Sequence, residues 1–196
     1  MKATRHCGRN SSFSVKHNDR NFDYENVEHI NANAEKGNVY WDCVRGKNTS
    51  ENMGSGSYLT SFEEVELKVY EELFSDYVNG QNGRYEARRQ YDRIQSVENL
   101  YTAKRTTPEE TILQVGNMDL TIDRETILRI TEDYIQRFEA LFGSNIKILD
   151  WALHVDESTP HVHERHVFFY KNEYGEVQPV SIHIYDFIQT QNSQSC

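Results

Sequence analysis

The segment that decides the fold is IKILDWALHVDESTPHVHERHVFFY, residues 146–170. Its two halves, IKILDWALHV and HVHERHVFFY, are rich in β-branched and aromatic residues, which is typical of strands. The residues DESTP between them have the composition of a turn. We therefore predict a β-hairpin. The same segment contains four histidines within thirteen positions, although the whole chain has only eight.

Three of these histidines are predicted to converge. Residues two apart in a strand point to the same face, so His161 and His163 project together. His154 ends the preceding strand, and the hairpin brings it opposite them. Three imidazoles that converge form a facial site for a divalent metal, with open positions for water or substrate. His166 lies three residues beyond His163 and should face the other way.

Two carboxylates, Asp156 and Glu157, lie in the predicted turn. A carboxylate at this place could accept the second ring N–H of a ligand histidine and so fix its tautomer. Capping of the turn is the other interpretation; it is favoured for Asp156, and for Glu157 both remain open.

The other predicted strands are at residues 3–7, in NVYWDCV (38–44), in TILQVGN (111–117) and in SIHIY (181–185). KNTSENMGSGSYL (47–59) is predicted to be a loop, because glycine and serine cluster there without periodicity.

Three helices are predicted. The first begins at Ser61 with the capping box that Ser61 and Glu64 form, and ends at the pair Asn79–Gly80. An arginine-rich helix follows over about 84–95. The third is DRETILRITEDYIQRFEALFG, residues 123–143, which Gly143 ends. Its apolar stripe is Ile127, Ile130, Tyr134, Phe138 and Leu141. The whole pattern predicts an α+β domain with a central, mostly antiparallel β-sheet and flanking helices.

Composition limits the function classes. No apolar run is long enough to span a membrane or resembles a secretion signal, so we predict no membrane segment. Three widely spaced cysteines fit a reducing cytoplasm, and we predict cytoplasmic localisation. The net charge of −10 does not favour nucleic acid as a partner, because phosphate contacts need lysine and arginine.

Basic residues are nevertheless concentrated in 84–93 and in the first 20 residues. They are either ordinary surface charge or a local basic groove for DNA. On the groove hypothesis the candidate DNA-binding residues, including Tyr40 as a base-stacking residue, are Arg5, Lys16, Arg84, Arg88, Arg89 and Tyr40.

The motif H-x-D-E-S-T-P-H-x-H, from His154 to His163, resembles the metal motif of the MobV-type plasmid mobilisation relaxases, the Mob/Pre plasmid recombination family. KHNDRNF, residues 16–22, is similar to that family's first motif. The resemblance covers most of residues 1–175. The family's middle motif, asparagine–tyrosine–glutamate–leucine, has only NVYWDC as its counterpart, and the segment after Tyr170 does not match.

This resemblance implies an enzyme of the HUH endonuclease class, with an HUH relaxase-like fold. Such an enzyme binds one strand of plasmid DNA, single-stranded or supercoiled, at a transfer origin and cleaves one phosphodiester. It stays attached to the 5′ phosphate and releases a 3′ hydroxyl, which serves plasmid mobilisation, conjugation and recombination. The implied cofactor is Mn²⁺ or Mg²⁺.

The resemblance also implies roles for particular residues. The MobV branch uses histidine as nucleophile, and this role corresponds to His17; Tyr24 and Tyr40 are the rival nucleophiles. Arg20, three residues after His17, could hold a phosphate oxygen or could pair with a neighbouring aspartate. We count Glu157 with these catalytic residues.

The expected organisation is a catalytic domain at 1–175 and a C-terminal segment at 176–196 whose last residues are disordered. The longer C-terminal region through which family members form homodimers is expected to be absent.

Two other functions remain open. A three-histidine metalloenzyme of another class, such as a cupin-like oxygenase, would have no use for KHNDRNF and would need more strands. A non-catalytic DNA-binding module in which metal only braces the fold would lose stability without metal and form no covalent product.

Overall fold

The fold is built on an antiparallel sheet. The computed structural model describes residues 3–8, 15–20, 37–49, 61–117 and 120–180. The order of the main strands is β1-β4-β7-β6-β2-β3, and β5 pairs with β4 and β8 with β7. The bounds are β1 Ala3–Gly8, β2 Val39–Asp42, β3 Gly46–Thr49, β4 Glu109–Asn117, β5 Leu120–Thr121, β6 Ile146–His154, β7 His161–Lys171 and β8 Val177–Pro179. Every strand pair in these ranges is antiparallel, so the predicted α+β class is confirmed.

Helices cover both faces of the sheet. They are α1 Val15–Asn18, α2 Phe62–Ala87, α3 Val97–Thr102 and α4 Arg124–Phe142. Side chains of α2 and α3 pack with Leu149 and Val167 on one face, which we call the α2 face. Side chains of α4 pack with Val162 and Phe168 on the other, the α4 face. Two apolar cores therefore lie on opposite sides of the hairpin.

The predicted hairpin is confirmed as β6 and β7, joined by residues 155–160, Val155 and the predicted turn DESTP. Its register shifts between Ile148 and Asp150, which is a β-bulge at Leu149. Because of the bulge, Leu149 and Asp150 both lie on the α2 face, and the alternation continues from there. His154 is thereby placed on the α2 face, together with His161 and His163.

Helix α2 begins as predicted, with Ser61 and Glu64 forming the capping box. Its predicted end at Asn79–Gly80 is wrong, because the helix continues to Ala87. A single glycine costs a helix interior only about 1 kcal/mol. Gly80 here serves close packing, since a Cβ on it would lie 1.9 Å from Oε1 of Glu176.

The predicted arginine-rich helix over 84–95 is also wrong. Arg89 has φ 57°, and its N–H and that of Gln90 return to carbonyls of the last turn, 2.9 Å away in each case. This hydrogen-bond pattern closes α2, so that only the short 3₁₀ turn Tyr91–Arg93 follows.

Helix α4 ends at Gly143 with φ 55°, as predicted. Its buried face is rotated from the predicted stripe, because Ile130 is 41% exposed and Leu141 is 71% exposed. The side chains that are buried instead are Ile127, Leu128, Thr131, Ile135, Phe138 and Phe142. The helix has apolar residues on more than one side, and packing on the sheet selects between them.

Part of the predicted loop 47–59 is a strand, because residues 47–49 pair with β2 in a tight hairpin. Its other residues, the predicted strand 181–185 and the C-terminal tail lie outside the described residues. No helix in the described ranges is long and apolar enough to cross a lipid bilayer.

Candidate functional site

Four histidines meet at the end of the central hairpin. His154 ends β6, His161 and His163 begin β7, and His17 lies on α1. One ring nitrogen from each of the four lies within 4.8 Å of the others. The prediction that His154, His161 and His163 converge is therefore confirmed, and the described part of the chain adds His17 to them.

The second ring nitrogen of each hairpin histidine is already engaged. Nε2 of His154 lies 2.9 Å from the carbonyl oxygen of Asn18, and Nδ1 of His161 lies 2.8 Å from that of Thr159. Nδ1 of His163 lies 2.6 Å from Oε1 of Glu110. Each acceptor requires a proton on the nitrogen that it contacts, so it leaves a lone pair on the opposite nitrogen.

These opposite nitrogens fit a metal ion. Nδ1 of His154 and Nε2 of His163 are buried and have no hydrogen-bond partner among the described residues, which is costly for polar atoms unless a ligand satisfies them. Together with Nε2 of His161 they form a set of three imidazole nitrogens, each fixed from behind in the manner of metal ligands. The donor set therefore fits a divalent metal.

Burial also favours the neutral form of two of these histidines, His154 and His161. Burial lowers the pKa of His154 well below its ordinary value, and the nearby positive charge of Arg20 adds to this effect. Burial likewise lowers the pKa of His161. A neutral imidazole is the form that binds metal, so the environment of both rings favours ligation near neutral pH.

Glu110 is the acceptor that sequence reasoning missed. Burial would raise the pKa of its carboxyl, but the hydrogen bond and charge of His163 and the charge of Arg165 outweigh this and lower the pKa. The sequence offered Asp156 and Glu157 for this role, with turn capping favoured for Asp156 and both roles open for Glu157. The register of β4 against β7 brings Glu110 there instead, and sequence spacing does not specify that register.

The two carboxylates of the turn anchor α1. Asp156 accepts hydrogen bonds from Nε and an Nη of Arg20, at 3.1 Å and 2.7 Å. Glu157 accepts one from the same Nη at 2.8 Å, and its Oε1 lies 3.3 Å from Nε2 of His17. The Arg20 side chain is only 2% exposed. Arg20 thus holds the first motif against the hairpin through its pairing with Asp156 and Glu157.

Glu157 faces the inside of the cluster. Its carboxylate oxygens lie 3.9 Å from Nδ1 of His154 and 3.9 Å from Nε2 of His161, the nitrogens that the metal would use. Burial would raise its pKa, but hydrogen bonds with His17 and Arg20 outweigh this and lower the pKa well below the ordinary value. Glu157 is therefore an anion next to His17 and the ligand nitrogens.

The predicted DNA-binding residues do not form one groove. Lys16 is exposed beside His17, and Arg88 and Arg89 are exposed beyond the far end of α2. Arg5 lies on the α4 face, where its Nε is 3.3 Å from the Tyr134 hydroxyl, so the sheet separates it from the histidines. A single basic groove is therefore wrong, because these residues lie on different faces and at different ends.

Two other predicted DNA-binding residues, Arg84 and Tyr40, are engaged by contacts within the fold. Arg84 forms two hydrogen bonds of 2.8 Å with Glu176, which neutralises its charge. Tyr40 is 2% exposed and packs edge-on against Phe62 and His154. No face of its ring is open to a base, so the predicted stacking role does not fit this position.

The site and fold can be compared with known proteins. No protein-family model matches the chain, and no curated protein matches it in sequence. Solved structures do match it in fold, among them two of the MobM relaxase domain (MOBV; Mob_Pre) bound to plasmid pMV158 oriT DNA, Mn-bound, at pH 6.8 and at pH 4.6. The first has a TM-score of 0.52 and 20% identity over 99% of this chain and 83% of the other. The second has a TM-score of 0.51 and 18% identity over 99% and 84%.

The chain has the fold of a MobV relaxase domain. The resemblance that the motif of His154 to His163 indicated is thus confirmed at the level of the fold. In this fold the four histidines form a site that could hold a divalent metal.

Proposed function

We propose that the chain is a metal-dependent DNA relaxase. It nicks one strand at a plasmid transfer origin and rejoins strands during mobilisation, conjugation or recombination, in the cytoplasm. The observation that supports this most is the convergence of one ring nitrogen each from His154, His161 and His163. His17 is the fourth member of this cluster. The likeness to DNA-bound, Mn-bound relaxase domains supports the same function.

The proposed cofactor is Mn²⁺ or Mg²⁺, held by His154, His161 and His163. Mn²⁺ is the better match, because the solved relatives contain it and Mg²⁺ prefers oxygen ligands. When bound, such an ion polarises the scissile phosphate and offsets the negative charge that develops on it.

His17 is the proposed nucleophile. Its ring centroid lies 5.4 Å from that of His154 and 5.2 Å from that of His163, next to where the phosphate would bind. A ring nitrogen forms a bond to phosphorus while the bond from phosphorus to the 3′ oxygen breaks. The released strand ends in a 3′ hydroxyl once that oxygen gains a proton, and the 5′ phosphate remains on His17.

Glu157 and Arg20 assist His17 in this proposal. The Glu157 carboxylate stabilises the positive charge that the ring acquires on attack, and it can accept the proton that the ring then loses. Arg20 donates to the backbone oxygen of His17 at 3.2 Å and fixes the ring relative to the turn. Its role is to position His17, since its guanidinium is engaged with Asp156 and Glu157.

DNA is proposed to contact exposed basic side chains, one beside the histidine cluster and two at the far end of α2. Lys16 would bind a phosphate beside the scissile bond, and Arg88 and Arg89 would bind DNA that flanks it. The catalytic domain is proposed to be residues 1–175, with 176–196 as a C-terminal segment.

The experiment is a nicking assay on a supercoiled plasmid with a MobV-type transfer origin. We expect Mn²⁺-dependent conversion to open circles, and loss of it in His163→Ala. His166→Ala is the matched control: His166 is buried on the same strand but packs against Phe138 on the α4 face. Nicking that persists in EDTA or in His163→Ala would contradict the proposal. Metal that raises the melting temperature without any nicking would favour the metal-braced binding module.

A further inference from the structure

A buried network of charged groups lies on the α2 face beside the metal cluster. Its members come from three strands and two helices and are each at most 7% exposed: Glu66, Tyr101, Glu110, Asp150 and Arg165. Apart from Glu110, which contacts His163, none of them has a role in the proposed cleavage chemistry. Buried charge is expensive unless it is fully paired, so a network of this size calls for a physical reason.

The network forms a continuous path to His163. Arg165 on β7 donates from Nε and an Nη to the two oxygens of Glu66 on α2, at 2.5 Å and 3.0 Å. Its other Nη donates to Oε2 of Glu110 on β4, at 3.2 Å. Oε1 of Glu110 contacts Nδ1 of His163 at 2.6 Å. The Tyr101 hydroxyl of α3 holds Glu66 from the far side, at 2.6 Å.

Each contact in this path restricts the next one. Arg165 occupies one oxygen of Glu110, so the carboxylate cannot rotate away from His163 without breaking that bond. Glu66 in turn engages two nitrogens of the guanidinium, a planar fork that fixes its direction. The Nδ1–H tautomer of His163, which leaves Nε2 for the metal, is therefore held by residues on β4, β7 and α2.

The charges of the network fit a neighbouring cation. Three carboxyl groups surround one guanidinium, and burial beside Glu66 raises the pKa of Asp150 well above its ordinary value. Both effects favour the neutral, protonated form of Asp150. The carboxylates of Glu66 and Glu110 against the single charge of Arg165 leave one net negative charge, on the side of His163 that faces away from the metal.

We propose that Glu66 is a positioning residue for the metal: through Arg165 and Glu110 it fixes the tautomer and orientation of His163. This inference rests on the metal site of the proposed function, but not on DNA cleavage. It extends the site to the long helix α2, whose first turn also contacts α1 through the hydrogen bond from the N–H of Phe62 to Asp19.

The test compares Glu66→Gln with Glu164→Gln. Both remove one carboxylate that is 0% exposed, and Glu164 lies next to His163 in sequence but pairs with His166 on the α4 face. We expect Glu66→Gln to weaken Mn²⁺ binding, followed by electron paramagnetic resonance, by about 10-fold, the low end of the range for direct partners of a ligand histidine, because Glu66 acts through Arg165 and Glu110. We expect Glu164→Gln to leave it within twofold of the wild type. An equal loss in both would mean a general effect of charge, and would overturn the proposal.

A second readout needs no metal. Long-range ¹H–¹⁵N spectra of the metal-free protein should show His163 as the Nδ1–H tautomer in the wild type and as a mixture in Glu66→Gln. Arg165→Lys keeps the charge but removes the fork, so we expect the same two changes. A single tautomer together with unchanged Mn²⁺ affinity in the variants overturns the proposal. Failure of both variants to fold would also overturn it, since a structural role would then suffice.

The failure of the inference can be distinguished from that of the proposed function. If the wild type itself binds no Mn²⁺, then the metal site is wrong and both fail. If the wild type binds Mn²⁺ and Glu66→Gln binds it equally well, then only the positioning role of Glu66 is wrong.

Discussion

The orientation of each of the three proposed ligand imidazoles depends on the atom that its second ring nitrogen contacts. For His154 and His161 that atom is a backbone carbonyl oxygen, of Asn18 and Thr159 respectively, and for His163 it is a carboxylate oxygen of Glu110. The convergence of the three rings could be predicted from the spacing H-x-H and from the short turn. Their acceptors could not, because they belong to residues that only the folded chain brings near.

Asp150 gives a prediction about pH at the scale of one residue. Its pKa is raised in the folded state by burial and by the Glu66 charge, against about 3.9 in an unfolded chain. The stability that it contributes is therefore fully present below pH 4 and is lost as the pH rises towards the folded-state pKa. Each unit in this window lowers the free energy of unfolding by about 1.4 kcal/mol.

Asp150→Asn removes this titration. We measure the free energy of unfolding of both proteins with urea at pH 5, 6 and 7. We expect the value for the variant minus that for the wild type to increase from each pH to the next. A difference between the two proteins that stays constant over this range would show that Asp150 is ionised in the fold.

At the scale of elements, the bulge in β6 decides which face His154 occupies. Ile146 and Ile148 pack on the α4 face, as do Trp151 and Leu153, so the alternation changes parity at Leu149. In an unbroken strand His154 would lie on the same face as Ile146, because eight residues separate them; the bulge places it on the opposite face. The sequence predicted the hairpin and the two flanking helices, but not the bulge or the rotation of α4, because both depend on packing.

The N-terminus of α2 gives a prediction at this scale. Ser61 accepts a hydrogen bond from the N–H of Glu64, and Asp19 accepts one from the N–H of Phe62. Both side chains accept a hydrogen bond from a backbone N–H of the first turn of α2. Of the two, only Asp19 links the helix to α1 and His17. We expect Ser61→Ala and Asp19→Ala each to lower the free energy of unfolding by about 1 kcal/mol.

Only Asp19→Ala should also slow DNA nicking, because it alone loosens the segment that holds His17. The two variants are compared by denaturant unfolding and by initial nicking rates in Mn²⁺. If Ser61→Ala slowed nicking as much as Asp19→Ala, then the link between α2 and α1 would have no special role.

At the scale of the whole molecule, an acidic chain must bind DNA through local positive charge. Lys16 lies at the site, whereas Arg88 and Arg89 lie beyond the far end of α2, about 39 Å from its start at 1.5 Å per residue. Exposed acidic residues, including Glu71, Glu72 and Asp76, lie on α2 between them. DNA that reaches both ends therefore does not follow this helix surface.

This separation predicts a dependence on DNA length. Arg88→Gln/Arg89→Gln should leave binding of a short strand at the nick unchanged. With a flanking duplex longer than about 11 base pairs, enough to span the helix, it should reduce the slope of log affinity against log salt by about 1.8. Arg5→Gln is the control, because Arg5 lies on the α4 face. An unchanged slope with the long DNA would exclude Arg88 and Arg89 from binding.

The central claim is that His17 forms a covalent bond with DNA beside the metal. The most direct measurement is mass spectrometry of the adduct after the protein is incubated with Mn²⁺ and single-stranded transfer-origin DNA. We predict an acid-labile nucleotide adduct on His17 that is absent from His17→Ala. An adduct on Tyr24 or Tyr40 would contradict the assignment of the nucleophile, and the absence of any adduct with metal bound would contradict the relaxase function itself.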